Sequence, residues 1–133
     1  MIDQRIIKIA SDTRYAGLKN IYTHKSSIKN SLCGDFIKIE LIIDSKKIKS
    51  MRYETEACVL CEASASLLAN KLKNFDLKNL KKEMTIFKKI KKTKKTKFPM
   101  KFKEFEELLN KKTLNRLNCV TLPIEALFKA IKV

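Results

Sequence analysis

FIKIELIIDSKKIKSMRYETEACVLCEASASLLANKL, from Phe36 to Leu72, changes its hydrophobic period partway along. At its start Ile37, Ile39, Leu41 and Ile43 alternate with Lys38 and Glu40, the period of two that turns one face of a β-strand toward a core. Asp44-Ser45-Lys46-Lys47 is a polar turn. From Ile48 to Glu56 the alternation resumes with Met51, Tyr53 and Thr55 on one face, so the two runs are the arms of an antiparallel hairpin. Beyond Cys58 the apolar positions fall at Cys61, Ala65, Leu68 and Leu72, a helical spacing in a segment without Gly or Pro. Strand gives way to helix at the cysteine itself.

Upstream, Ile6, Ile7, Ile9 and Ala10 form a broad helical stripe behind Asp3, an N-cap residue type, which predicts a helix over residues 3–18 ended by Gly17, then a polar loop. Downstream, Asp76 is placed to cap a helix carrying Leu77, Leu80, Met84 and Phe87. A lysine run from Lys88 to Lys103 reads as a solvated loop or frayed helix end, broken at Phe98-Pro99. Helical periodicity returns from Phe102 to Leu117. Cys119 falls in the next junction, and Pro123 suits the first turn of a terminal helix with Leu127, Phe128 and Ile131. The expected fold is α+β: one domain over residues 1–133, a small antiparallel β-sheet packed against several α-helices, with ligand-bearing loops at one exposed end.

The chain has 133 residues, 30 Lys and Arg against 14 Asp and Glu, and a formal charge of +16. Such a balance raises nucleic acid as a partner. The excess is nearly all lysine, however, and the aromatics are scattered phenylalanines without the stacking pattern of a single-strand binder, so an acidic protein partner or plain solvation is the better reading. No stretch is long and apolar enough for a signal peptide or a membrane span, so the protein is expected in the cytoplasm, with no membrane role. Thiols stay reduced there, and cysteines serve as ligands or nucleophiles more often than as disulfides.

Four cysteines, Cys33, Cys58, Cys61 and Cys119, accompany a single histidine, His24. Thiolates select zinc, copper(I) or iron-sulfur clusters, and Asp35, two positions after Cys33, offers a harder and more exchangeable oxygen. Gly34 between them permits the turn that would aim both side chains at one point. Cys58 opens a helix, where backbone amides and the helix dipole favour the thiolate. Cys33, Cys58 and Cys119 all sit at junctions that can converge, whereas Cys61 lies on the apolar stripe of its own helix and reads as a small core residue. Cys58-x-x-Cys61 has the spacing of a redox pair without the proline and strand-helix context such motifs use. His24 reads as a surface or packing residue.

Three segments together resemble the signatures of U-type iron-sulfur cluster scaffolds, the family of IscU, SufU and the N-terminal domain of NifU. They are Asn30-Ser31-Leu32-Cys33-Gly34-Asp35 before a strand, Glu56-Ala57-Cys58-Val59-Leu60-Cys61-Glu62-Ala63-Ser64-Ala65-Ser66 opening a helix, and Arg116-Leu117-Asn118-Cys119-Val120-Thr121-Leu122 before the last helix. The long stretch between Cys58 and Cys119, and Asn118 where histidine often precedes the third cysteine, are similar to the SufU-like branch. The resemblance implies that Cys33, Asp35, Cys58 and Cys119 bind zinc or a [2Fe-2S] cluster, that Cys119 or Cys58 accepts persulfide sulfur, and that Cys61 has no counterpart among the ligands. It implies a carrier, not an independent enzyme, with a cysteine desulfurase and apo-protein cluster acceptors as partners. Two further readings stand beside it: a zinc-dependent sulfur acceptor that stimulates a desulfurase, and a basic interaction module with a structural metal site.

Overall fold

The hairpin read from the sequence forms the middle of a four-stranded antiparallel sheet in the order β1-β2-β3-β4. Its arms are β2, Phe36–Asp44, and β3, Lys47–Glu56. They join through Ser45 and Lys46, at φ 53° and 63°. Positive φ at both central residues is the turn whose twist matches that of paired strands. This computed structural model describes residues 4–30, 34–93, 98, 100–109 and 116–131. Asp3, Cys33, residues 94–97, Pro99, residues 110–115 and the side chain of Met84 lie outside the described residues.

Ile37, Ile39 and Leu41 of β2 are buried with Met51 and Tyr53 of β3, as alternation requires, and Ile48 of β3 is buried with them out of phase. Ile43 departs from the expected face: the register shifts between Ile42 and Ile43, and both are half-buried. The extra residue of this bulge is Lys49 of β3, which changes the phase of that strand and brings Ile48 to the core face with Met51.

The predicted polar loop before Cys33 contains a strand. β1, His24–Lys29, pairs antiparallel with β2 from His24↔Leu41 to Lys29↔Phe36. Its only strongly apolar residue is Ile28, so hydrophobic alternation could not reveal it. Pairing to β2 and the Ser26 hydroxyl donating to the Ala126 carbonyl at 2.6 Å hold it in place. β4, Phe75–Asp76, pairs with Lys47 and Ile48 at the other edge.

The first helix, α1, spans Gln4–Ala10 and stops well short of Gly17. Asp12 ends it locally: its carboxylate accepts from the Arg14 N–H and guanidinium, a side-chain alternative to the next helical bond. Those bonds hold the Asp12 carboxyl down at about 2, against 3.8 for the unperturbed group. A depressed folded-state value contributes stability that is complete above the unfolded value and is lost as pH falls through the folded one. The Asp12 contribution should therefore vanish between about pH 4 and pH 2. Comparing acid unfolding of the wild type with Asp12→Asn checks this; the pair is solvent-exposed, so the difference should be small and shrink with salt.

Residues 15–23 then cross the outer face of the sheet as a strap. Tyr15 and Gly17 bond to the backbone of Tyr53, forming the isolated parallel bridge Ala16↔Tyr53. Arg52 donates to the carbonyls of Arg14, Ala16 and Gly17, while its cross-strand partner Glu40 accepts from the Lys19 and Asn20 amides at 2.9 and 3.1 Å. Glu40, expected on the solvated face of β2, is consequently buried. Its charge is met by backbone donors.

The helices cover the inner face. α2, Val59–Lys71, packs on α1, β3 and the terminal helix α4, Leu117–Ile131. Contact on several sides explains why Ala63, Ser64 and Ser66 are buried as well as the expected stripe of Cys61, Ala65 and Leu68. Ser64 donates its hydroxyl to the Val120 carbonyl, tying α2 to α4. Ser64→Ala should destabilise by about 1 kcal/mol, measured by urea unfolding, because the buried carbonyl loses a partner it cannot replace with water.

α3, Leu77–Thr93, begins as expected at Asp76, whose carboxylate accepts from the Lys78 N–H at 2.8 Å. It continues through the start of the lysine run, so Lys88 and Lys89 are exposed helix positions and not loop. Residues 102–108, expected to be α-helical, belong instead to a 3-10 segment, Met100–Leu108, with a non-helical Phe102 at φ −119°, ψ 19°. That backbone lets Phe102, Phe105 and Leu108 all turn into the core, where Phe102 packs on Phe75, Phe87 and Phe105. Among the described residues no helix is long and apolar enough to cross a membrane.

Candidate metal centre

Three chain segments meet where β2 begins, β3 ends and α4 starts. The first is the turn before β2. Asn30 N–H donates to the Asp35 carbonyl and Gly34 N–H to the Asn30 carbonyl, both at 2.7 Å, with Gly34 at φ 78°. A glycine takes that left-handed conformation without a Cβ penalty. The closed turn fixes Asp35, which is buried. Cys33 lies outside the described residues.

The second segment is the end of β3. Cys58 is the N-cap of α2, at φ −70° and ψ 166°, and its side chain makes no capping hydrogen bond. The sulfur is therefore not committed to the helix and is left free to serve as a ligand. The Cys58 N–H donates to Asp35 Oδ1 at 3.3 Å, which leaves Oδ2 buried with no hydrogen-bond partner among the described residues. A buried carboxylate oxygen without a donor is costly unless something else satisfies it.

The third segment is α4. Cys119, expected in a junction ahead of this helix, lies inside its first turn, because the helix begins at Leu117. Pro123, expected in that first turn, sits further inside the helix. Pro123 has no N–H to give the carbonyl four residues back, which is that of Cys119. Proline thus loosens the helical turn that carries the cysteine, and Pro123 is a residue whose bearing on the site the sequence reading missed.

Asp35, Cys58 and Cys119 each present a ligand-type atom, and these atoms all lie within 4.8 Å of one another. The set is one carboxylate and two thiols. Burial pushes the Cys119 thiol well above the ordinary range, with the adjacent Asp35 carboxylate and Cys58 acting in the same direction. Cys119 therefore keeps its proton in the metal-free protein. A dication would displace that proton and satisfy Asp35 Oδ2 at the same time. Bond lengths of about 2.3 Å to sulfur and about 2.0–2.2 Å to oxygen need only a small contraction of this cluster.

Cys61 is fully buried and is not one of the three clustered residues. His24 opens β1 and its Nδ1 lies 2.9 Å from the Thr23 hydroxyl, so its imidazole is engaged locally. Cys61→Ala should cost about 1 kcal/mol of packing and leave metal stoichiometry unchanged, read by unfolding and elemental analysis.

Residues 2–133 match the family model of the NifU-like N terminal domain, and the chain belongs to that family. A curated relative, the iron-sulfur cluster assembly scaffold protein IscU of Thermotoga maritima, is 29% identical over 72 residues. That match covers 54% of this chain and 51% of the relative, so the chain spans about half the length of the curated protein it matches. The fold is that of a crystallised NifU-like protein (N-terminal) from Brucella abortus, with TM-score 0.83 and 17% identity over 98% of this chain and 91% of that one. A protein described as an iron-sulfur cluster assembly scaffold for the SUF system, from Fervidobacterium islandicum AW-1, superposes with TM-score 0.74 at 21% identity, covering 97% and 95% of the two chains. The expected α+β architecture and family resemblance are borne out.

Proposed function

We propose that the protein is an iron-sulfur cluster assembly scaffold: a single carrier domain, working in the reducing cytosol, that receives sulfur from a cysteine desulfurase and passes a labile cluster to apo-proteins. The observation that carries this reading is the convergence of Asp35, Cys58 and Cys119 around a buried carboxylate oxygen with no hydrogen-bond partner among the described residues. Cys33, adjoining the Gly34 turn, is the fourth ligand in this account. The cargo is zinc or a [2Fe-2S] cluster. Asp35 keeps it exchangeable, since a carboxylate oxygen is a poorer match for a soft centre than a fourth thiolate.

Of the two clustered cysteines, Cys58 is the more accessible, half-buried where Cys119 is buried, and takes the role of sulfur acceptor. Its thiolate attacks the outer sulfur of the desulfurase persulfide; the donor S–S bond breaks, the donor thiolate leaves, and Cys58 carries the persulfide. The chain holds and transfers, with no independent catalysis.

A zinc-dependent sulfur acceptor that never builds a cluster is the second reading, favoured by exposed Asn118, a side chain that offers no imidazole beside Cys119. Anaerobic reconstitution with iron and sulfide separates the two. A stable charge-transfer spectrum supports the scaffold; tight stoichiometric zinc with no such spectrum supports the acceptor, or a site that is purely structural.

A further inference from the structure

On the outer side of edge strand β1, a cavity of about 600 Å³ is lined by Tyr22, Lys25, Ser27, Lys38, Glu40 and Lys129, among others. Lys129 lies nearly three helical turns, about 15 Å, along α4 from Cys119, so the cavity is separate from the metal centre. The Lys25 ammonium sits 4.9 Å above the Tyr22 ring. Lys38 is exposed. Lys129 donates to the Ser27 carbonyl at 2.9 Å. The one carboxylate in the lining, Glu40, is buried and already committed to the amides of Lys19 and Asn20. Its hold on the strap leaves Tyr22, 37% exposed, in the lining, with Ile21, 66% exposed, next to it in the chain. Three cations, the Tyr22 ring and a sheet edge therefore face solvent together.

The Ser27 carbonyl points away from β2, and a lysine ammonium covers it, as edge strands are often guarded. A carboxylate arriving at Lys129 would draw that ammonium off and leave the carbonyl open to a backbone N–H. We propose that this face docks an extended acidic segment of a partner protein. Its carboxylates meet Lys25, Lys38 and Lys129, an apolar side chain rests on Tyr22 and Ile21, and its backbone pairs with β1. Nucleic acid fits less well. A phosphate backbone needs a continuous cationic track and repeated stacking rings, whereas this is a bounded cavity with Tyr22 as its one aromatic lining residue. The inference does not depend on the cargo of the metal centre.

The test is fluorescence anisotropy of the full chain with a short labelled peptide of alternating glutamate and isoleucine. Binding should weaken as salt rises. The triple variant Lys25→Gln, Lys38→Gln, Lys129→Gln should lose at least about tenfold in affinity, and Lys88→Gln with Lys89→Gln, on exposed α3, less than about twofold. Amide exchange of Lys25, Ser27 and Lys29 in the unmodified protein should slow when the peptide is added, a readout that does not require any variant to fold. Equal losses from the two sets of lysines, unchanged β1 exchange, or displacement of the peptide by single-stranded RNA at equal concentration would each overturn the proposal.

Discussion

Cys58→Ser should leave a folded protein that no longer holds metal tightly, with zinc affinity reduced by more than about 100-fold. Loss of outer-shell partners alone costs about 10–100-fold, and this change removes a ligand. Serine keeps the size of cysteine, but its hydroxyl does not ionise near neutral pH and is a poor ligand for a soft centre. The same substitution should raise the stability of the metal-free protein by up to about 1 kcal/mol. Cys58 is an N-cap without a capping hydrogen bond, and serine is among the best residues for that position. The two effects have opposite signs, so metal loss cannot be ascribed to unfolding. Competition against a zinc chelator and thermal melting of the apo-protein measure them separately. A variant that bound zinc as tightly as the wild type would remove Cys58 from the ligand set.

Phe102→Ala is expected to be the most damaging single change to the fold, at about 3–5 kcal/mol in urea unfolding. Phe102 is fully buried, and its ring centroid lies 5.1 Å from Phe87, 5.4 Å from Phe75 and 6.1 Å from Phe105. Phe87 in turn meets Phe128 of α4, so the rings join β4, α3, the 3-10 segment and the terminal helix. Truncation removes transfer energy and leaves a cavity between elements that share few other contacts. A cost below about 1.5 kcal/mol would mean that the site collapses freely and the ring cluster does not organise this half of the molecule.

The central hairpin and α2 were legible because their apolar residues repeat at the strand and helix periods, although burial extends beyond those stripes. Ile37, Ile39 and Leu41 face the helices at every second residue, and Cys61, Ala65 and Leu68 at helical spacing. Elements held by polar or long-range contacts were not legible. β1 shows one strong apolar residue and depends on Ser26 and on pairing with β2. Glu40 reads as solvated until the strap that buries it is known. The 3-10 segment places Phe102, Phe105 and Leu108 inward at three-residue steps, a spacing that an α-helical stripe also allows. Pro123 reads as a helix opener because proline is common there, and only the packing of Leu117, Val120 and Thr121 shows that α4 starts earlier. Within the site, junction positions pointed to Asp35, Cys58 and Cys119, which cluster. The burial of Asp35 Oδ2 and of Cys119 depends on tertiary contacts that no local pattern encodes.

X-ray absorption at the metal edge of the loaded protein tests the central claim most directly. The account predicts three sulfur scatterers at about 2.3 Å and, for zinc, one oxygen at about 2.0–2.2 Å, with the oxygen lost or replaced in Asp35→Ala and the shell unchanged in Cys61→Ala. A shell of four sulfurs that loses one in Cys61→Ala, or an Asp35→Ala spectrum identical to that of the wild type, would contradict it.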